Sequence, residues 1–284
     1  MLTAGAALAL CACGSKAVIS VGSKDTTESL ILGEIVAAHL ERQLPGVRIE
    51  RKLGLGGTVA VQGALQSGAI DLYAEDVGTI LATVLKEDVP AEETVALERA
   101  RAQCQRLYQL SLLGPLGFHH KFVVSRTSGA GIKADTLTAI GDSRAALKLG
   151  VAYDLFDRKD AFSALATKYR ISMRELPQRM GPRAMYLALK NGTIDLAAGY
   201  STDSWTNQEG FVVLKDDQEL FPAHEVCLLV RRQTLAAQSD LERMLGALAG
   251  SIKDDAMRKL NQEVDIKHRK PEDLAKEFLA TAGL

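Results

Sequence analysis

The side chains best suited to chemistry in this sequence sit in short polar stretches that follow apolar ones. Ser23-Lys24-Asp25-Thr26-Thr27-Glu28 comes after Val18-Ile19-Ser20-Val21-Gly22, and Gly54-Leu55-Gly56-Gly57-Thr58 comes after Val47 to Leu53. The first stretch offers a cation, a carboxylate and several residues suited to capping a helix. The second is a glycine-rich turn at a helix start, where backbone N–H groups face negative charge. It lacks the Lys-Ser/Thr pair of a phosphate loop, so it is either a contact for a ligand carboxylate or a plain tight turn. Thr58 is then the expected N-cap of the following helix.

Two more polar stretches end a pair of similar units. Ala64 to Thr79 reads Ala-Leu-Gln-Ser-Gly-Ala-Ile-Asp-Leu-Tyr-Ala-Glu-Asp-Val-Gly-Thr, and Ala188 to Asp203 reads Ala-Leu-Lys-Asn-Gly-Thr-Ile-Asp-Leu-Ala-Ala-Gly-Tyr-Ser-Thr-Asp. Each is a helix stopped by a glycine (Gly68, Gly192), then an Ile-Asp-Leu strand. Each strand is expected to run into a loop, Tyr73 to Thr79 or Gly199 to Asp203. Open α/β sheets bind ligands beyond the carboxyl ends of their strands. The pair therefore predicts two α/β lobes facing each other across a hinged, ligand-binding cleft.

Composition limits what such a cleft serves. The chain has 284 residues, 47% hydrophobic and 24% charged, enough for two modest domains with real cores. Net charge is -1, so no overall field draws it to nucleic acid or an anionic membrane. Met1 to Ala12 is uncharged and rich in Ala and Leu, which suits a signal-peptide core, a frayed apolar terminus being the alternative. Leu10-Cys11-Ala12-Cys13-Gly14-Ser15 resembles a bacterial lipobox, with Cys13 as the lipidated residue. The usual basic residues are missing before it, so this reading places a Lys or Arg upstream. Cys104 and Cys227 are either a disulfide or two buried thiols. His119 and His120, adjacent on a strand, point to opposite faces and cannot share one metal ion. His39 and His268 read as solvated helix positions. No nucleophile elbow, zinc-protease helix, Cys-x-x-Cys in the mature part or dinucleotide fingerprint occurs, so no catalytic residue, metal or cofactor is assigned.

The elements that must position these groups follow from periodicity. Glu28 to Gln43 places Ile31, Leu32, Ile35, Val36 and Leu40 at helical spacing. Ala91 to Leu110 is a long outer helix. Phe118 to Ser125 is a strand that opens the second lobe, followed by a strand at Leu147 to Tyr153, a helix at Ala161 to Tyr169, the second repeat helix at Arg183 to Asn191 and a strand at Phe211 to Leu214. Phe221 to Val230 returns the chain to the first lobe. The tail is helical, with Ser239-Asp240-Leu241-Glu242 and Ser251-Ile252-Lys253-Asp254 as capping sequences and Pro271 in a first turn. The expected organisation is a signal over 1–12, one lobe over 13–117 and 222–284, and a second over 118–221.

The chain resembles the substrate-binding proteins of ABC importers of the osmoprotectant class, which take up glycine betaine, choline and related quaternary amines. Val21-Gly22-Ser23-Lys24, Leu53-Gly54 with Gly57-Thr58, Ala64-Leu65 through Ile70-Asp71-Leu72-Tyr73, Glu75, Gly78-Thr79, Gly117-Phe118, Tyr200-Ser201-Thr202-Asp203, Asp216-Asp217, Phe221-Pro222 and Leu260-Asn261 match that family in order. The resemblance implies a two-lobed, type II-like periplasmic-binding fold in an exported, lipid-anchored monomer. It also implies a small-molecule solute as ligand and an ABC permease and ATPase as partners.

Members that bind trimethylammonium enclose it with aromatic rings, whose π faces attract a cation. Here the usual aromatic positions carry Thr26, Asp76, Phe122 (a Phe for a Tyr) and His224; Tyr200 remains, and Trp205 stands where a ring is unusual. The candidate contacts are Ser23, Lys24, Asp25, Thr58, Asp76, Phe122, Tyr200, Thr202, Trp205 and His224. A carboxylate in place of a ring favours a cation that donates hydrogen bonds, which trimethylammonium does not. Either Asp76 meets a solute bearing N–H groups, or it caps the following helix while Trp205, Tyr200 and Phe122 rebuild a cage. An α/β enzyme and a ligand-sensing domain are the competing classes.

Overall fold

The computed structural model describes residues 17–284 except 130, 132, 157 and 159–162. The signal segment, Cys13 and the start of the helix expected at Ala161 lie outside the described residues. The first pass of the chain forms β1 (Val18–Gly22), α1 (Thr27–Gln43), β2 (Arg48–Lys52), α2 (Thr58–Ser67), β3 (Leu72–Asp76), the short α3 (Val77–Thr79) continuing into a π-helical turn (Ile80–Leu85), α4 (Glu93–Tyr108), β4 (Leu110–Leu113) and β5 (His119–His120). Next come β6 (Phe122–Thr127), α5 (Leu137–Asp142), β7 (Leu149–Ala152), α6 (Tyr153–Phe156), α7 (Ala164–Lys168), β8 (Gln178–Met180), α8 (Pro182–Lys190), β9 (Leu196–Tyr200) and β10 (Phe211–Val213). The chain closes with β11 (His224–Arg231), α9 (Arg232–Ala237), α10 (Leu241–Gly246), α11 (Asp254–Asp265) and α12 (Pro271–Ala282).

The strands form two sheets on one plan. The first has order β2-β1-β3-β11-β4 with β5 also on β11, and the second has order β10-β6-β9-β7-β8. In each, a parallel set (β2, β1, β3 or β8, β7, β9) meets an antiparallel strand, β11 or β6. This is the two-lobed α/β architecture that the paired units predict. The run expected as one strand from Phe118 is two. Phe118 is buried in the first core, His119 and His120 pair with Glu225 and His224, and only from Phe122 does the chain join the second sheet.

Burial explains the layering. β11 sends Val226, Leu228 and Val230 to one face, against Ile31, Ile35 and Leu40 of α1 and Leu241, Leu245 and Met257 of the tail helices. Cys227 and Leu229 face the other way, against Val61, Leu65 and the Ala96, Ala100, Cys104 stripe of α4. A strand covered on both faces is apolar throughout, and each such side chain contributes about 1.5–3 kcal/mol by leaving water. Cys104 and Cys227 are both free thiols in this core, and burial pushes each up to about 12.

The repeated units share their local devices. Gly68 and Gly192 take φ of 77° and 71°, the left-handed conformation that glycine adopts without a Cβ penalty. Asp71 and Asp195 then do the same work: each accepts a backbone N–H of the neighbouring strand segment, Ser20 or Lys148, at 2.8 Å. Four local expectations are corrected. His39, expected to be solvated, is buried with its Nε2 2.9 Å from the Met244 carbonyl. Tyr73 to Asp76 and Gly199 to Tyr200 are buried strand rather than loop, because the strands start at the Leu of Ile-Asp-Leu and run on to Asp76 and Tyr200. Gly57, not Thr58, occupies the N-cap of α2, and the Thr58 hydroxyl turns instead to Glu75 at 3.2 Å. In the tail Asp240 and Lys253 hold the cap positions expected of Ser239 and Ser251, without side-chain cap bonds.

Candidate functional site

A cleft of about 960 Å³ opens between the lobes. The first lobe lines it with the β1–α1 connection (Lys24, Asp25, Thr27, Glu28), the start of α2 (Thr58, Val59, Ala60) and Asn261 and Asp265 of α11. The second lobe contributes the end of β9 and its loop (Tyr200, Thr202, Asp203, Ser204) and the wall formed by Tyr153, Arg179, Arg183, Ala184 and Leu187. Apart from the α11 residues, both walls come largely from segments at or beyond strand ends, as the topology requires.

Five of the ten sequence candidates line this space: Lys24, Asp25, Thr58, Tyr200 and Thr202. The other five do not. Ser23 is buried, donating to the Lys24 carbonyl at 2.8 Å and accepting from the Gly54 N–H at 3.0 Å, so its hydroxyl braces the two glycine-containing turns. Trp205 packs into a small core, stacked on Tyr186 at 6.4 Å and edge-on to Phe211 at 6.0 Å. His224 is buried against Gly78, where even a methyl group would meet the imidazole at 2.4 Å. Phe122 lies in the core of the second lobe, edge-on to Tyr200 and Phe221.

Asp76 is the largest correction. Its side chain accepts the Thr79 N–H at 2.7 Å and caps α3, and its oxygens face His120 Nδ1 at 3.6 Å and Arg158 Nη1 at 3.8 Å. Burial alone would raise its pKa, but the positive charges of His120 and Arg158 outweigh it and hold the carboxylate well below its ordinary range. The negative charge expected to greet a ligand is balanced inside the protein.

His120 ties the lobes together. Its Nε2 bonds Glu28 of the first lobe, and its ring stacks on Tyr200 of the second at 4.3 Å and 24°. Desolvation would lower the imidazole pKa, yet Glu28 and Asp76 raise it well above the ordinary value, so it is an imidazolium. Nearby, Lys24 and Glu75 form a second buried pair at 2.6 Å. Asp203 differs from these acids. It accepts the Tyr200 N–H at 2.9 Å and the Tyr186 hydroxyl at 3.2 Å, and among the described residues it has no ion-pair partner. Burial therefore pushes it up to about 7.

One face of α11 grips the second lobe. Arg258 donates to the Ser201 carbonyl at 3.0 Å, Asn261 to the Thr202 carbonyl at 2.9 Å and to Glu28 at 3.0 Å, and Asp265 accepts from Ser204 and from Thr27. Their spacing of three and four residues places them on one helical stripe.

With this geometry in view, the family profile described as OpuAC, substrate binding domain of ABC-type glycine betaine transport system, matches residues 17–281. The chain belongs to this family. A Helicobacter pylori (strain G27) protein named ergothioneine transport permease/ergothioneine binding protein EgtU is 29% identical over 267 residues; the match covers 93% of this chain and 47% of that protein, so this chain spans about half its length. The carnitine transport binding protein OpuCC of Listeria monocytogenes serotype 1/2a (strain 10403S) is 29% identical across 93% of this chain and 87% of its own. A crystal structure of a glycine betaine/carnitine/choline ABC transporter protein shares the fold at a TM-score of 0.78 and 23% identity, covering 93% of this chain and 98% of that one. No described helix is long and apolar enough to cross a membrane.

Within this OpuAC-family domain, sequence reasoning missed Glu28, His120, Arg179, Arg183, Asn261 and Asp265 as cleft residues, and placed Asp203 in a site loop without naming it as a contact. Asn261 and Asp203 stood among the family-matched residues, and Glu28 in the polar run before α1. The His120 direction follows from the two-residue β5, which turns His119 outward to Glu93 at 3.2 Å and His120 inward. The ligating atoms of Glu93, His119 and Glu225 lie within 4.8 Å of one another, outside the cleft lining.

Proposed function

We propose that this chain is the extracytoplasmic, lipid-anchored solute-binding component of an ABC importer, acting as a monomer. It captures a small zwitterion or cation of the betaine and carnitine type, or an N–H-bearing relative, and delivers it to a membrane permease and ATPase. The observation that carries this reading is a cleft lined by both lobes that contains a carboxyl, Asp203, with no ion-pair partner among the described residues. A solute ammonium or N–H donor there would restore ionised Asp203 and gain a charge-assisted hydrogen bond. Arg179 and Arg183 on the same wall suit a carboxylate at the other end of the solute. Candidate contacts are Lys24, Asp25, Thr58, Tyr200, Thr202 and Asp203. Asp76 acts at one remove, by holding His120 and Arg158.

No bond-making step is assigned. The test is a thermal-shift screen of the mature chain with betaines, choline, carnitine, ergothioneine, amino acids and polyamines, followed by calorimetry. A solute at a hundredfold over its Kd adds about 2.7 kcal/mol to stability through mass action. A shift with a zwitterionic or cationic member supports the reading, and silence across the panel contradicts it.

A further inference from the structure

Each ring of the Phe122–Tyr200 pair already has a cation of the chain over one face. The His120 imidazolium lies over Tyr200 at 4.3 Å, and the Arg158 guanidinium lies over Phe122 at 4.5 Å. The two rings are themselves edge-on at 5.4 Å, so the pair and its cations form one assembly across the lobes. Its carboxylates are committed as well: Glu28 bonds His120, and Asp76 faces both cations. Arg158 also donates to the Thr79 hydroxyl at 3.2 Å. Among the described residues, two carboxylates and two cations balance in this group, and the side chains of His120 and Arg158 are only 13% and 2% exposed. An additional cation would find no uncompensated charge and would be repelled by two like charges in a poorly screened place.

We propose that Arg158, with His120 beside it, is a specificity-determining residue that fills the cation pocket between Phe122, Tyr200 and Asp76 from within, so that quaternary ammonium groups are rejected there. The solute is then recognised by the outer walls of the cleft, and one that carries N–H donors to Asp203 is favoured over one that is only a bulky cation. This rests on the solute-binding reading given above. It differs from a simple aromatic cage in its source of selectivity, since the chain supplies the cation that the rings attract.

The test uses tetramethylammonium chloride as the probe, titrated calorimetrically into the mature wild-type chain and into Arg158→Gln and Arg158→Lys at pH 7 and constant ionic strength. Arg158→Gln leaves one net negative charge beside an uncovered ring and is expected to bind the probe at least about tenfold more tightly than wild type. Arg158→Lys keeps the charge and is expected to show no gain. Equal binding by wild type and Arg158→Gln overturns the proposal. So does saturable wild-type binding with a Kd below about 1 mM, a result that stands even where the glutamine variant fails to fold. Because the probe comparison needs no natural solute, a silent solute panel would sink the solute-binding reading while leaving this outcome separately readable.

Discussion

The two repeated units, Ala64 to Thr79 and Ala188 to Asp203, share a scaffold and differ in what stands at its mouth. In both, a left-handed glycine ends a helix, an Asp pins the neighbouring strand through a 2.8 Å backbone bond, and a strand runs buried to the cleft. The first strand ends in Glu75 and Asp76, whose charges are matched by Lys24, His120 and Arg158. The corresponding end of the second is Gly199 and Tyr200, followed by Asp203, which has no ion-pair partner among the described residues. One mouth is electrostatically complete and the other is not. The difference teaches that a similar sequence context positions a group but does not decide its role; the charges brought to it from elsewhere in the chain do.

The comparison is broken most severely at the completed mouth. Asp76→Ala leaves His120 and Arg158 facing each other without a shared carboxylate, and is expected to cost about 3–5 kcal/mol in chemical denaturation, the range for a buried pair that loses one partner. A loss under about 1 kcal/mol would mean that the mouth is not balanced in this way.

The shared scaffold comes next. Asp71→Ala and Asp195→Ala each strand a strand-end N–H, an expected loss of about 1–3 kcal/mol apiece. Asp71→Ala is the larger, because Asp71 also accepts from Thr234 at 2.7 Å. Opposite ranking in thermal melts would show that the two units are held differently.

The incomplete mouth is expected to respond through pH and ligand rather than through gross stability. Asp203 titrates near 7, above its ordinary 3.8, because burial disfavours its charge. Its protonated form therefore contributes stability at low pH that is lost as pH rises from about 4 to about 7, a slope that Asp203→Asn should remove from melting curves. A cationic solute prefers ionised Asp203, so its affinity is expected to fall about tenfold per unit below pH 7 and to level off above it. Calorimetry across pH 5 to 8, with the asparagine variant at least about a hundredfold weaker at pH 8 and insensitive to pH, checks this. A flat wild-type profile would remove Asp203 from the contacts.

Much of the scaffold was legible because it is local. The glycine stops and the Ile31, Leu32, Ile35, Val36 and Leu40 stripe are read within a few residues and lie where their patterns predict, while the strands expected at Ile-Asp-Leu begin only at Leu72 and Leu196. The candidate site was legible by halves. Lys24, Asp25, Thr58, Tyr200 and Thr202 follow strand ends directly. The capping reading of Asp76 was also local, since Asp precedes a helix start. Its charge balance was not, because Arg158 arrives from the other lobe and His120 from a two-residue strand with no periodicity of its own. Trp205 misleads for the same reason: its partners Tyr186 and Phe211 are distant enough that nothing near it announces a core.

The central claim is that one solute is held by both lobes. Ala60 and Ala184 are exposed residues lining the cleft from the first and second lobe, so Ala60→Trp and Ala184→Trp fill it from opposite sides without disturbing either core. Titration of the best solute from the screen into wild type and each variant is the most direct measurement. The account predicts saturable one-to-one binding to wild type and at least about a tenfold loss, 1.4 kcal/mol or more, in both variants. Retention of wild-type affinity by either one would contradict it, because the solute would then rest on a single lobe or outside the cleft.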